Sequence, residues 1–259
     1  MPFADLPHAR IHYALSGDGS LPALILSNSL GTNFSMWDAQ TPAFEKNFHL
    51  LRYDMRGHGQ SSVPPPPYTV PELAADVLAL ADSLALARFH FCGLSVGGMI
   101  GMTLALQAPA RLRKLVLCST AAKIGTFESW NTRIATVRTQ GMKEIARATP
   151  SRWFTPAFQT DSPAAVAATL RVVASMNPDG YIGGCSAVRD FDARTTVDRI
   201  QIPTLVLSAT HDPAAPPSDG HFLADRIPGA RYAELHASHI SSIEDPKRFT
   251  SEVLSFLTE

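Results

Sequence analysis

Five residues constrain this chain more than any others: Gly93-Leu94-Ser95-Val96-Gly97, set between an apolar, β-prone run and a run of small and apolar residues that reads as a helix. Gly-x-Ser-x-Gly at a strand-to-helix junction describes a turn so tight that a Cβ at either glycine would clash. The serine at its apex is held above the end of the strand in a strained backbone conformation, with its hydroxyl free for attack. A strand, a sharp turn and a helix are therefore expected at one point, and Ser95 is the expected catalytic nucleophile.

The rest of the chain supplies matching elements. Short apolar runs recur at Ala23–Ser27, 48–53, 89–92, 114–118, 204–208 and Arg231–Leu235. Near-continuous apolar runs of this length suit strands buried on both faces of a mostly parallel sheet. Helical patterns lie between them. Thr69 with Glu72 three residues on reads as a capping box, followed by Leu73, Val77, Leu80 and Leu84 on one face. Asp245 before Pro246 opens a last helix that turns Phe249, Val253 and Phe256 inward. Alternating strands and helices predict a doubly wound α/β sheet. The proline run 64–67 can join neither a helix nor an inner strand, and is expected as an exposed loop.

Residues 120–192 break that rhythm. They hold two tryptophans, helix-like stretches and Pro150, Pro156, Pro163 and Pro178, but no convincing strand. They read as a helical cap (lid) over a pocket, inserted into a core formed by 1–119 and 193–259.

Composition narrows the function classes. With 259 residues, 45% hydrophobic and 17% charged, the chain can bury one large core. A formal net charge of −1 offers no electrostatic footprint for nucleic acid or an anionic membrane. The opening residues show no signal-peptide pattern, and no apolar stretch approaches the roughly 18 residues of a membrane span. Cys92, Cys118 and Cys185 cannot all pair and lack CxxC spacing, so free buried thiols and a cytoplasmic location are expected.

A serine hydroxyl needs a base, and the base needs an acid to fix its tautomer and stabilise its charge. Of nine histidines, His239 is favoured as base because it lies in the loop between the last strand and the last helix. His236 is its rival, but follows the strand so closely that it is expected to face the wrong side. Asp212, a few residues beyond the 204–208 run, is the expected acid, giving the chain order Ser95, Asp212, His239. Asp54 and His58, in the segment Asp54-Met-Arg-Gly-His-Gly-Gln-Ser61, are read as turn-holding residues. Oxyanion donors are expected from the N–H groups of Val96, next to the nucleophile, and Leu30, in the glycine-containing loop after the Ala23–Ser27 run. His236 and His239 lack a third ligand at a familiar spacing, so no metal is expected. No Gly-x-Gly-x-x-Gly follows the first strand, so no dinucleotide is indicated.

Taken as a whole, the text resembles the 3-oxoadipate enol-lactonases of the β-ketoadipate pathway. The similar segments are 27–32, 36–38, 51–59, 89–101 and 115–118 in the core, 130–133, 152–158 and 185–190 in the cap, and 216–220 and 226–230 beyond it. The elbow and Arg-Gly-His-Gly turn are widely shared, whereas the cap segments discriminate because caps set substrate choice. Val96 departs from the methionine usual in the family, and Pro213 directly after the acid is also unusual. The resemblance implies an α/β-hydrolase fold: a mostly parallel eight-stranded sheet flanked by helices, with the cap after the sixth strand. It implies a serine hydrolase that opens a small enol-lactone through an acyl-serine, without a cofactor. The lactone carries a spectator carboxylate, for which Arg133, sharing a helix face with Trp130, is the expected partner. A small-ester carboxylesterase or cofactor-free perhydrolase is the alternative on the same triad. A non-catalytic hydrolase-fold receptor is a remoter one.

Overall fold

The computed structural model describes residues 2–259. Eight strands form one sheet: β1 (Phe3–Asp5), β2 (Arg10–Ser16), β3 (Ala23–Ser27), β4 (His49–Tyr53), β5 (Phe89–Leu94), β6 (Leu112–Cys118), β7 (Thr204–Ala209) and β8 (Arg231–Leu235). Their spatial order is β1-β2-β4-β3-β5-β6-β7-β8. The β1–β2 and β2–β4 pairings are antiparallel, and every later pairing is parallel. Every residue of β3, β5 and β7 is buried, which explains their unbroken apolar text.

The six apolar runs all became strands, while β1 and β2 lie outside them. β2 reads Arg-Ile-His-Tyr-Ala-Leu-Ser and buries only part of its length, so its pattern is too mixed to stand out. Its histidine is an interior residue: His12 Nδ1 lies 2.8 Å from Asp54 Oδ2. Asp54 also accepts from the N–H groups of Phe34 and Gln60, at 2.8 and 3.0 Å. A Cβ on Gly59 would come within 2.1 Å of that carboxylate. Asp54 thus holds the 54–61 turn together, as expected from sequence.

Helix starts follow their local signals. Thr69 and Glu72 form the reciprocal capping box of the helix Val70–Ser83, whose Leu73, Val77 and Leu80 are buried. Such a cap contributes about 1 kcal/mol. Asp245 accepts from the Arg248 N–H at the start of the helix Pro246–Thr258, which buries Phe249, Val253 and Phe256. Pro64 to Pro67 form a partly exposed loop.

Between β6 and β7 the chain forms five α-helices and no strand: Phe127–Ala148, Pro150–Trp153, Pro156–Asp161, Pro163–Ser175 and Pro178–Asp190. Four of them have proline in the first turn, where its missing N–H costs nothing. The first is kinked at Gly141, whose φ of 75° and ψ of −178° leave the helical region. The last packs backbone to backbone on the 54–61 turn, since a Cβ on Gly180 would lie 2.1 Å from the Gly57 carbonyl oxygen. No helix among the described residues is long and apolar enough to cross a membrane.

Candidate active site

Ser95 ends β5 and caps the helix Val96–Gln107, with φ 60° and ψ −117°. This is a strained conformation for a residue with a Cβ, and the neighbours hold it in place. The Ser95 N–H donates to the Cys118 carbonyl at 2.9 Å, and Thr120 Oγ1 donates to the Ser95 carbonyl at 2.7 Å. Glycine is required on both sides: a Cβ at 93 would lie 2.1 Å from the Gly97 carbonyl oxygen, and one at 97 would lie 2.3 Å from that of Ser27.

His239 and Asp212 come from the loops after β8 and β7 and bond to each other, and His239 lines one cavity with Ser95. His239 Nδ1 lies 2.8 Å from Asp212 Oδ2, and both side chains are buried. A carboxylate only accepts, so the imidazole proton sits on Nδ1 and the lone pair is left on Nε2. The other oxygen of Asp212 accepts from the N–H groups of Ala214 and Ala215, at 2.8 and 3.1 Å. Pro213, lacking an N–H, leaves those two donors to orient the acid. Asp219 stands nearby with its carboxyl pushed up by burial and, to a lesser extent, by the charge of Asp212. Among the described residues only Asp212 bonds the His239 imidazole.

The rival histidine points away. His236 is exposed, with its ring edge-on to His211 at 4.6 Å between centroids. Among the described residues no three His, Cys, Asp or Glu side chains form a metal-binding group. His58 is buried with its pKa lowered by that burial, and its Nδ1 lies 3.2 Å from the Arg56 carbonyl. Those features belong to an interior turn residue.

The loop after β3 carries Leu30. Asn28 anchors it by donating to the Tyr53 carbonyl and accepting from the Trp37 indole, both at 2.8 Å. Gly31 follows with a φ of 81°, where a Cβ would press on the Tyr181 ring at 3.0 Å. Neither the Leu30 nor the Val96 N–H donates to another group among the described residues. For Val96 the reason is plain, since a first helical residue has no carbonyl one turn earlier.

One cavity of about 470 Å³ is lined by Ser95, His239 and Leu30 from the core and by Trp130, Arg133 and Arg152 from the helical insertion. The Arg133 guanidinium lies over the Trp130 ring, 4.8 Å from its centroid, while the indole N–H donates to the Ile124 carbonyl at 2.7 Å. The two residues share a helix face, as their spacing predicts. Arg152 lies outside the predicted site, although it begins one of the distinctive cap segments; a Pro-Ser-Arg-Trp helix of one turn has no amphipathic pattern to betray which way it faces. Neither arginine pairs with a carboxylate among the described residues. Burial, with a smaller push from Cys185, raises the Tyr181 hydroxyl pKa, and the charge of Arg133 and its hydrogen bond to that hydroxyl act in the opposite direction. Cys185 is no rival nucleophile, because burial pushes its thiol up to about 12.

Comparison with known proteins identifies the fold and the family. A family model for the alpha/beta hydrolase fold matches residues 22–246. The 3-oxoadipate enol-lactonase 2 of Acinetobacter baylyi is 42% identical over 243 residues, spanning 94% of this chain and 91% of that protein. Its 3-oxoadipate enol-lactonase 1 is 34% identical over 235 residues, spanning 91% and 88%. Among solved structures, the enol-lactonase from Burkholderia xenovorans LB400 matches with a TM-score of 0.98 and 45% identity, covering 100% of both chains. The chain belongs to the 3-oxoadipate enol-lactonase family within the α/β-hydrolase fold.

Proposed function

We propose that this enzyme hydrolyses 3-oxoadipate enol-lactone to 3-oxoadipate, with Ser95 as nucleophile, His239 as general base and Asp212 as its orienting acid. The observation that carries the reading is the shared cavity, lined by Ser95 and His239 together with the Trp130 indole and the Arg133 guanidinium, which has no carboxylate partner among the described residues. Chemistry on an ester and recognition of a carboxylate are available in one space.

Ser95 Oγ attacks the lactone carbonyl as His239 Nε2 takes its proton. The Leu30 and Val96 N–H groups receive the oxyanion, each such donor contributing about 3 kcal/mol in measured systems. The acyl–oxygen bond of the ring breaks and the oxygen leaves as an enolate, a better leaving group than an alkoxide, so it asks little of proton delivery. The enolate takes up the proton held by His239 and becomes the ketone; the neutral imidazole then draws a proton from water, whose attack breaks the acyl–Oγ bond, and returns that proton to Ser95 Oγ. The spectator carboxylate is costly to bury unpaired, and Arg133 is its partner by a two-pronged hydrogen bond. Trp130 forms the wall beside it.

Residues 120–192 act as the cap and 1–119 with 193–259 as the core. Three free buried cysteines support a reducing, cytoplasmic setting. The test is an ultraviolet assay of enol-lactone loss beside hydrolysis of a neutral p-nitrophenyl ester, using wild-type and Ser95→Ala protein. Preference for the lactone, lost with Ser95, is expected. Preference for the neutral ester would favour a general carboxylesterase.

A further inference from the structure

The loop that carries His239 is tied to the cap by a side chain outside the triad. Glu244 Oε2 accepts from the Ser238 N–H at 2.8 Å. Its Oε1 accepts from the Thr155 N–H at 3.1 Å and from the Thr155 hydroxyl. Thr155 is also the N-cap of the cap helix Pro156–Asp161, its hydroxyl oxygen accepting from the Phe158 N–H. One residue beyond the histidine, the Ile240 N–H donates to the Trp153 carbonyl at 3.2 Å. Ser238 Oγ lies between the carbonyls of Arg152 and His211, at 3.4 and 3.2 Å, touching cap and acid loop together. His239 is therefore bracketed on both sides by bonds to the cap segment 152–155, and Arg152 and Trp153 of that segment line the catalytic cavity.

A salt bridge would hold the cap down without reference to the histidine. Glu244 instead meets no cation among the described residues, and its donors are two backbone N–H groups and a hydroxyl drawn from two distant segments. Only a carboxylate offers acceptors at both ends. We propose that Glu244 is a positioning residue, whose carboxylate transmits the seating of the cap at Thr155 to the backbone of Ser238 and so sets the place of the His239 imidazole. This rests on the reading of Ser95 and His239 given above.

Glu244→Gln has nearly the same shape but turns an amide NH₂ toward one of the two donor sets. It is expected to lower kcat for the lactone by about tenfold, the scale of one hydrogen bond to a charged group. KM should stay within about twofold, because no group that touches substrate is lost. Labelling of Ser95 by a fluorophosphonate, which needs the activated serine but no substrate carboxylate, should slow in the same proportion. Thr155→Val keeps the residue's volume and removes the hydroxyl, both as donor to Glu244 and as N-cap acceptor for the Phe158 N–H, while the Thr155 N–H bond to Glu244 remains, so its smaller effect should run in the same direction. In the double variant the two losses should fail to multiply, as for groups acting through one network. Unchanged kcat in Glu244→Gln, a loss confined to KM, or independent effects of the two variants would each overturn the proposal. Should Glu244→Gln fail to fold, Thr155→Val alone decides by the same kcat and labelling rates. The underlying reading is separable, since it falls if Ser95→Ala still turns over lactone. With Ser95→Ala inactive and Glu244→Gln unimpaired, only the positioning role is lost.

Discussion

The sheet core and the helical insertion wall the same cavity but hold their polar groups in opposite ways. On the core side, little is left to choose. Ser95 has both backbone groups bonded, and Asp212 has accepted from His239, Ala214 and Ala215. On the insertion side, Arg133 and Arg152 line the cavity without a carboxylate partner among the described residues, and Trp130 offers a ring face. The contrast separates two demands. Chemistry needs groups preorganised before substrate arrives, whereas recognition of an anion needs a positive charge not yet neutralised. If that division is right, substitutions in the core should hit every ester alike, and substitutions in the insertion should hit the acidic substrate alone.

The largest effect is expected at Ser95. Ser95→Ala should lower lactone and p-nitrophenyl ester turnover together, on the order of 10⁴-fold or more. Its melting temperature should barely move, because only a hydroxyl is removed. Turnover within tenfold of wild type on either substrate would break the comparison at its root.

Next come the two histidines of one loop. His239→Ala should match the loss at Ser95 to within about tenfold, while His236→Ala, exposed and packed on His211, should retain nearly full activity. Asp212→Asn should cost about 10³- to 10⁴-fold on both substrates, since an amide favours the wrong imidazole tautomer. Steady-state kinetics with both substrates decides these cases, and equal losses at His236 and His239 would overturn the assignment of the base.

What was legible in the sequence divides along the same line. The places of Ser95, Asp212, His239 and Leu30 in the fold were legible because each follows the end of a strand, and the chain order of strand ends is itself information. The starts of the helices Val70–Ser83 and Pro246–Thr258 were legible from Thr69–Glu72 and Asp245–Pro246, which act locally. β1 and β2 escaped because β1 has only three residues and is largely exposed, while β2 interrupts its buried stretch with His12 and ends half-exposed, so neither shows an apolar run. Arg152 and Glu244 escaped for another reason. Arg152 lines the cavity and Glu244 bonds Thr155 only because segments far apart in the chain meet, 89 residues in the case of Thr155 and Glu244, and no local pattern records such a meeting.

The insertion's turn comes with Arg133. Arg133→Met keeps much of the side chain's length while removing the charge. It should weaken kcat/KM for the lactone by about 1.5–3 kcal/mol, the range for hydrogen bonds to charged groups. Hydrolysis of the neutral ester should hardly change. A parallel loss on both substrates would make Arg133 a structural cap residue and leave Arg152 as the cation to test.

The smallest effect compares the two regions by stability instead of chemistry. His90 of β5 is buried beneath the site, edge-on to Phe48 at 5.5 Å between ring centroids. Burial, helped by the charges of Arg113 and Lys114, pushes its pKa down to about 4 from an ordinary value of 6.5. The unfolded chain therefore binds more protons than the folded one between those two values, and stability falls as pH drops through that window. His58, lowered in the same direction by burial, adds to it. The insertion offers a contrast in Glu144, whose carboxyl is lowered by Arg147. A lowered carboxylate gives up its contribution only below its unfolded value of 4.5, as the group protonates. His90→Leu should flatten the fall in melting temperature between about pH 6.5 and pH 5, and Glu144→Gln should leave that stretch of the profile unchanged. Melting curves across the pH series check both. An unaltered slope in His90→Leu would mean that the acid sensitivity of the core lies with another group, and a slope altered by Glu144→Gln would place part of it in the insertion.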